Sequence, residues 1–490
     1  MCHRFKIFFI TIFLLAVTGK NLYAQNYQVS LPEKLNYGTN RNDVLGTSTF
    51  GIVVLDVGKT THTISVYSSD MKLKWKKPIA LKEFGFINVN KVYLLDDSLL
   101  VFYTIQVRGM TILKAAKVNT QLNLIRPATV VDTLATSTLL AVPSMNYSAS
   151  FGKKRFLIYY DDFNNSDKRK LHDYCVDDLS NVKWKNEFRS TDFMEPETVT
   201  AVVDDSIHCW FLMGENQVKN FHNDFPYNKF MLVSYDDSTK KFSQTVSEES
   251  GMIFTNALLK LDTKNKQIIA AGLYALSPGA ESNGIIFLRY NLNGELKNKK
   301  LFPYSTDLLS QLTGNTPPKR NDGFFSFQPS DFVVKNNGGI IFLAESYSIS
   351  TEAFNSPGYG NFGGTTSLTV NYYHFDEVLA FSINDTGGVE WNQVIHKKQQ
   401  TESDGGIFSS FALVIAPTQL ILVFNDFSVG MDVLSTFTLQ PDGKVERTEI
   451  FNADKKGLLP VVKTGKQISP NEFVMPSLKK GYLQYLKIIF

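Results

Sequence analysis

Short apolar runs return along this chain, each bounded by polar residues: FGIVVLD (50–56), LLVFYTI (99–105), RFLIYY (155–160), CWFLMG (209–214), GIIFLA (339–344) and LILVF (420–424). They are brief and apolar at consecutive positions, the pattern of strands buried on both faces. Two kinds of turn alternate between them. The first joins two apolar strands, as in VYLLDDSLLVFY (92–103) and TAVVDDSIHCWF (200–211), and more loosely at 152–155, 263–266, 336–339, 416–418 and 469–471. Asp, Asn, Gly and Pro gather there because they preset or tolerate turn dihedrals. The second kind leads into a strand that often carries Trp: SSDMKLKW (68–75), LSNVKW (179–184), NLNGELKN (291–298), NDTGGVEW (384–391) and QPDGKVER (440–447), with related turns near Gln121 and Lys240. Asn-Gly and Asp-Gly are hairpin signals.

Each kind of turn occurs seven times, at intervals of about 55 residues. Trp75 to Trp184 is 109 residues, two periods, and Trp184 to Trp391 is 207, three periods plus about 40 residues whose excess falls at 346–372. Such a period with about four strands per unit is that of small sheets repeated radially, an all-β propeller of four-stranded antiparallel blades. Seven units are complete, and a last one from Leu458 runs out at Phe490 one strand short. The segment NYQVSLPEK (26–34) resembles the outer strands KWKKPIALK (74–82) and KWKNEFRS (183–190), so it is expected to supply that strand and close the ring. The count is then eight blades, or seven if the first and last units merge.

Residues 1–24 read as a secretory signal peptide: Arg4 and Lys6 precede an apolar run at 7–17, and Ala24 offers a small residue for cleavage. A run of eleven residues is too short to span a bilayer. Residues 25–490 then form one propeller domain with an insertion loop at 346–372, exported to the periplasm, cell surface or medium, with no membrane span. The formal charge of +3 comes entirely from Arg4, Lys6 and Lys20, which leaves 47 basic against 47 acidic residues. A neutral chain offers no electrostatic ground for a nucleic-acid partner. Lysine outnumbers arginine about fourfold, and forked recognition of phosphate or carboxylate leans on arginine, which argues against a polyanion ligand.

Cys175 and Cys209 remain after processing. They read as two small buried hydrophobes on neighbouring units, with a disulfide between them as the alternative. An outer-membrane barrel is the competing architecture, but its strands alternate apolar and polar residues, unlike the doubly apolar runs above.

In a four-stranded meander the first and third turns emerge on one face, and the second turn and the link to the next blade on the other. The first and third are short. Second turns at 161–172, 214–229, 274–284 and 346–372, and links at 133–148, 302–327 and 397–409, are long. Function collects on loops held by a rigid scaffold, so this face is the expected binding face. Its candidate residues are Phe354, Tyr359 and Phe362 in the longest loop, Phe221, His222, Asp224, Phe225 and Tyr227 in NQVKNFHNDFPYNKF (216–230), and Lys319 and Arg320 in TGNTPPKRNDGFF (313–325). Aromatics among small polar residues make adaptable contact surfaces, with packing of the rings onto the blade tops as the alternative.

Chemical motifs are sparse. Asp162, Asn164, Ser166 and Asp173 fall at positions 1, 3, 5 and 12 of a calcium-type loop that lacks its Gly and its bidentate Glu. No cofactor is predicted, with calcium at Asp162, Asn164 and Asp173 as the alternative. His62, His172, His208, His222, His374 and His396 include no pair at ligand spacing, and His208 reads as a satisfied core residue. The segments NDTGGVEW and SSDMKLKW resemble strand-ending turns of quinoprotein-like and Asp-box sialidase propellers. Ser68, Asp70 and Trp75 match the Asp-box pattern, with Lys72 where Gly belongs. Asp385, Gly387 and Trp391 resemble the quinoprotein repeat, whose vicinal cysteine pair has no counterpart here. The resemblance implies a propeller and carries over no catalysis. Two function classes follow: a non-catalytic binding propeller for an envelope protein or glycan, and an envelope hydrolase or lyase with its site at the axial mouth.

Overall fold

The computed structural model describes residues 26–35, 39–58, 61–81, 83–135, 143–162, 170–190, 197–206, 208–215, 227–277, 281–313, 327–357, 365–427 and 432–490. Their strands form eight separate antiparallel sheets, each built on a path of four. Blade 1 comprises Thr39–Ser48, Gly51–Gly58, His62–Tyr67 and Leu73–Pro78, and blade 2 comprises Phe86–Leu94, Ser98–Val107, Met110–Asn119 and Thr129–Ala135. Blades 3, 4 and 5 begin at Asn146–Ala149, Glu197–Val203 and Ile253–Asp262. Blade 6 comprises Phe327–Val334, Ile340–Pro357, Thr365–Ile383 and Val389–Ile395, and blade 7 comprises Phe411–Ile415, Leu420–Asp426, Val433–Leu439 and Val445–Asn452. Blade 8 takes Lys466–Ser469, Glu472–Lys479 and Tyr482–Ile489 from the C-terminal end, and its outer strand is Asn26–Val29, paired from Asn26 opposite Ile489 to Val29 opposite Leu486. The expected closure and eight-blade count are thus observed.

Why this sequence stacks is visible in burial. Second strands such as Ser98–Val107 and Leu420–Asp426 are buried along nearly their whole length, whereas outer strands such as Leu73–Pro78 are exposed. A doubly apolar strand needs a sheet on each side, and a ring of sheets supplies two. The core is accordingly divided into eight apolar layers, each shared by two neighbouring blades. The layer that joins blade 8 to blade 1 contains Val44, Val54, Tyr67, Val474 and Tyr485. Tyr485 Oη donates to Asp56 Oδ1 across that joint at 2.7 Å, and Tyr67 Oη donates to Glu33 Oε1 at 2.9 Å. Cys175 and Cys209 are free, buried, and packed in the layer between blades 3 and 4.

Two elements depart from expectation. Among the described residues the insertion at 346–372 is strand: Ile340–Pro357 and Thr365–Ile383 pair out to Pro357 opposite Thr365, with one register shift between Glu345 and Tyr347, so blade 6 carries a hairpin arm. The segment Gln400–Glu402 pairs with the arm's base at Tyr372–His374. Ser, Thr, Val, Ile and Tyr in this stretch suit a strand as well as a loop, and alternation was masked by Gly and Asn nearby. The link at 302–327 holds a helix, α1 (Thr306–Thr313), which Ser305 caps by accepting Leu308 N–H. Leu308, Leu309 and Leu312 share one side of α1 and pack on blades 5 and 6.

Candidate binding face

The short-turn face is held by one repeated device. In the third turns beginning at Ser68, Asn119, Asp177, Asn291, Asn384 and Gln440, the fourth residue donates its N–H to the first carbonyl, and the first N–H donates to the fifth carbonyl. That geometry puts the fourth residue in the left-handed region, at Met71, Leu122, Ser180, Gly294, Gly387 and Gly443. Side chains complete it: Asn119, Asp177 and Asn384 each accept backbone N–H groups two and four residues on. Trp391 joins blade 6 to blade 7 there, its Nε1–H donating to Pro441 O at 2.9 Å.

The opposite face bears the links and second turns, but its length is not shared by all blades. The second turns of blades 2 and 8 are the two-residue pairs Arg108-Gly109 and Lys480-Gly481, all four with positive φ, as a type I′ turn requires. Length is concentrated on blades 3 to 7. Of the residues expected to bind, Phe221, His222, Asp224, Phe225, Lys319, Arg320, Tyr359 and Phe362 lie outside the described residues, as does Asn164. Phe354 stands in the arm opposite Leu368. Tyr227 is a correction: it is 5% exposed and packs in the layer between blades 4 and 5. It bridges to Phe254, and Gly214 makes room for its ring, where a Cβ would lie 2.3 Å from Cδ1.

Asp162 and Asp173 are placed on paired strands. Asp162 lies opposite Lys170 and Asp173 opposite Tyr159, several rungs away. Asp173 is fully buried, and its Oδ1 accepts Trp184 Nε1–H at 2.8 Å. Burial pushes its pKa up to about 7, against hydrogen bonds from Trp184 and Asn186. His208 is half-buried, 3.0 Å from Asp204 Oδ2 through Nδ1, and stacks on Trp210.

Around the axis, the first strands of neighbouring blades approach one another. On the loop-bearing side they enclose a cavity of about 680 Å³ between blades 6, 7 and 8, lined among others by Gln328, Tyr347, Phe375, Ser410, Lys463 and Lys466. Its two carboxylates, Asp331 and Glu345, are both engaged. Lys260 Nζ lies 2.6 Å from Asp331 Oδ1. Glu345 and Lys397 form a buried pair, 6% and 1% exposed, with Lys397 Nζ 2.6 Å from Glu345 Oε1. Lys397 also donates to Phe375 O and Gln399 Oε1, Ser410 Oγ donates to Glu345, and Gln399 donates to Asn425 O. Asn425 in turn donates to Phe408 O and Pro460 O, so the network ties blades 6, 7 and 8. Burial lowers the Lys397 pKa, and Glu345 opposes that shift.

Sequence reasoning missed Phe84 and Phe86. They stand where the first strand of blade 2 begins, on the loop-bearing side, 91% and 57% exposed. The signal available was the FGF triplet itself: Gly85 takes φ +122, and a Cβ there would meet Gln106 O at 2.9 Å.

Among the described residues no helix is long and apolar enough to cross a membrane. No family model matches the sequence, and no curated protein matches it. Solved structures do resemble it. The WD40 domain of SCAP from fission yeast aligns over 95% of this chain and 98% of its own at 8% identity and a TM-score of 0.42. Puromycin hydrolase aligns over 85% of this chain and 52% of its own at 9% identity and 0.38. The Vanderwaltozyma polyspora Nup133 β-propeller domain aligns over 64% and 82% at 10% identity and 0.31. At these scores the likenesses add nothing to what the eight sheets show of the fold.

Proposed function

We propose that this protein is an exported, non-catalytic interaction propeller whose loop-bearing face receives a protein partner of the cell envelope. The observation that carries this reading is the pair Phe84 and Phe86, large apolar side chains left open to solvent at the inner end of that face. An exposed aromatic pair costs solubility and is retained where a partner covers it. The engagement of Asp331 and Glu345 by lysines weighs against the hydrolase or lyase alternative, since neither carboxylate stands free as an acid or base. Export rests on Arg4, Lys6, the apolar run at 7–17 and Ala24. Cleavage after Ala24 leaves the closing strand Asn26–Val29 intact, and the N-terminal mass of the mature protein tests it.

A photo-crosslinking amino acid at position 84, compared with one at Phe151 on the short-turn face, tests the binding face in cells. Phe151 is a fair control because it is 89% exposed. Capture of a protein from position 84 and not from 151, reduced by Phe86→Ser, is the expected result. Capture from 151 alone, or equally from both, contradicts it.

A further inference from the structure

We propose that the axial cavity on the loop-bearing side receives the carboxylates of an acidic peptide segment, held by Lys463 and Lys466. This rests on the reading of that side as the binding face and adds the chemistry of what enters it. The charges lining the cavity are unevenly matched. Asp331 is tied to Lys260, and Glu345 is tied to Lys397 and Ser410. Among the described residues, neither Lys463 nor Lys466 forms an ion pair: Lys463 Nζ lies 5.3 Å over the Phe375 ring, and Lys466 Nζ donates to Leu45 O at 2.8 Å.

The bore beyond Lys466 deepens the same imbalance. Lys153 Nζ donates to Leu94 O at 2.8 Å, and Leu94 neighbours Gly46, the residue after the Leu45 that holds Lys466. Lys91 stands on the same strand as Leu94. The acid nearby, Asp43, is engaged by Arg41 at 2.7 Å. Lys466 responds as expected in such a place: its pKa is pushed down, first by burial and then by Lys153 and Lys91, with Asp43 opposing. A concave, positively charged recess focuses field on an incoming anion. The preponderance of lysine over arginine argues against a polyanion-binding surface and does not bear on one recess served by point charges.

A peptide suits the walls better than a sugar. Phe375 is already covered by Lys463 and by Tyr347, whose ring centroid is 4.7 Å away. Phe411 and Phe473 are buried. Among the lining rings only Tyr347, half-buried against Phe375, is left for a sugar ring to stack on.

Calorimetric titration of the purified full chain with tetraglutamate, tetraglutamine and trigalacturonate tests the proposal. Saturable binding of tetraglutamate is expected, weakened at least about tenfold by Lys463→Gln/Lys466→Gln and again by raised salt. Lys463→Gln alone, at an exposed position whose loss does not release Leu45 O, is expected to weaken it about threefold with an unchanged melting temperature. Absence of tetraglutamate binding, equal binding by the double variant, equal binding of tetraglutamine, or binding of trigalacturonate alone overturns it. Cross-linking from position 84 does not involve these lysines, so an unaltered partner yield from the double variant, with tetraglutamate unbound by wild type, leaves the binding face standing while this proposal fails.

Discussion

Asp173 shows how far one side chain can be misread from its neighbours in sequence. Its spacing from Asp162 suggested a cation loop, yet it lies in a strand interior with Trp184 on one oxygen and no partner on Oδ2. Its role is that of a buried acceptor with a raised pKa of about 7. The unfolded carboxyl titrates near 3.8, so between these values the folded chain binds more protons than the unfolded one. Stability contributed by this group therefore falls as pH rises from about 4 to about 7, by at most about 1.4 kcal/mol per pH unit. Asp173→Asn keeps an acceptor for Trp184 and removes the titration. Denaturant unfolding at pH 5 and pH 8 is expected to show the variant gaining on wild type by about 3 kcal/mol between them. Parallel pH profiles contradict that assignment.

The third turns are the elements most faithfully written in the sequence. Asx or Ser at the first position and Gly at the fourth announce a five-residue turn at Asn291 and Asn384, and the same geometry is imposed on Met71, Leu122 and Ser180 without the glycine. Gly443 has a second duty. A Cβ at this position would lie 2.9 Å from Trp391 Cδ2, whereas one on Gly457, also in the left-handed region, meets nothing within 4 Å. Gly443→Ala is expected to cost about 2 kcal/mol and Gly457→Ala about 1 kcal/mol, the difference being displacement of the Trp391 ring. Equal losses in thermal unfolding contradict the packing role. The arm and α1 were illegible for a different reason. Both lie in stretches where Gly, Pro and Asn punctuate the chain, and what stabilises them is non-local: the arm's partner strand, and the layer between blades 5 and 6 beneath Leu308.

The ring itself was legible because each blade repeats one burial pattern, and because the final unit lacks a strand that residues 26–34 resemble. The candidate site was not. Glu345, Lys397, Ser410 and Asn425 come from blades 6 and 7 and the link between them, Lys466 joins Glu345 and Ser410 in lining the cavity from blade 8, and no local spacing announces them. Tyr227, expected at the surface, is core, and Phe84, with no expected role, is surface for a similar reason, since an aromatic in a loop is core or surface according to what the next blade offers it. Closure at blade 8 thus sets both the fold and the cavity, because Lys466 of blade 8 is anchored on Leu45 of blade 1. Asn26 and Ile489 are Cα partners in the closing pair, so cysteines placed at these two positions are close enough to join. Peptide mapping of oxidised Asn26→Cys/Ile489→Cys is expected to show an intramolecular disulfide between them in a monomer of unchanged fold. Free thiols at both positions, or disulfides formed only between molecules, would contradict a ring closed by its N-terminal strand.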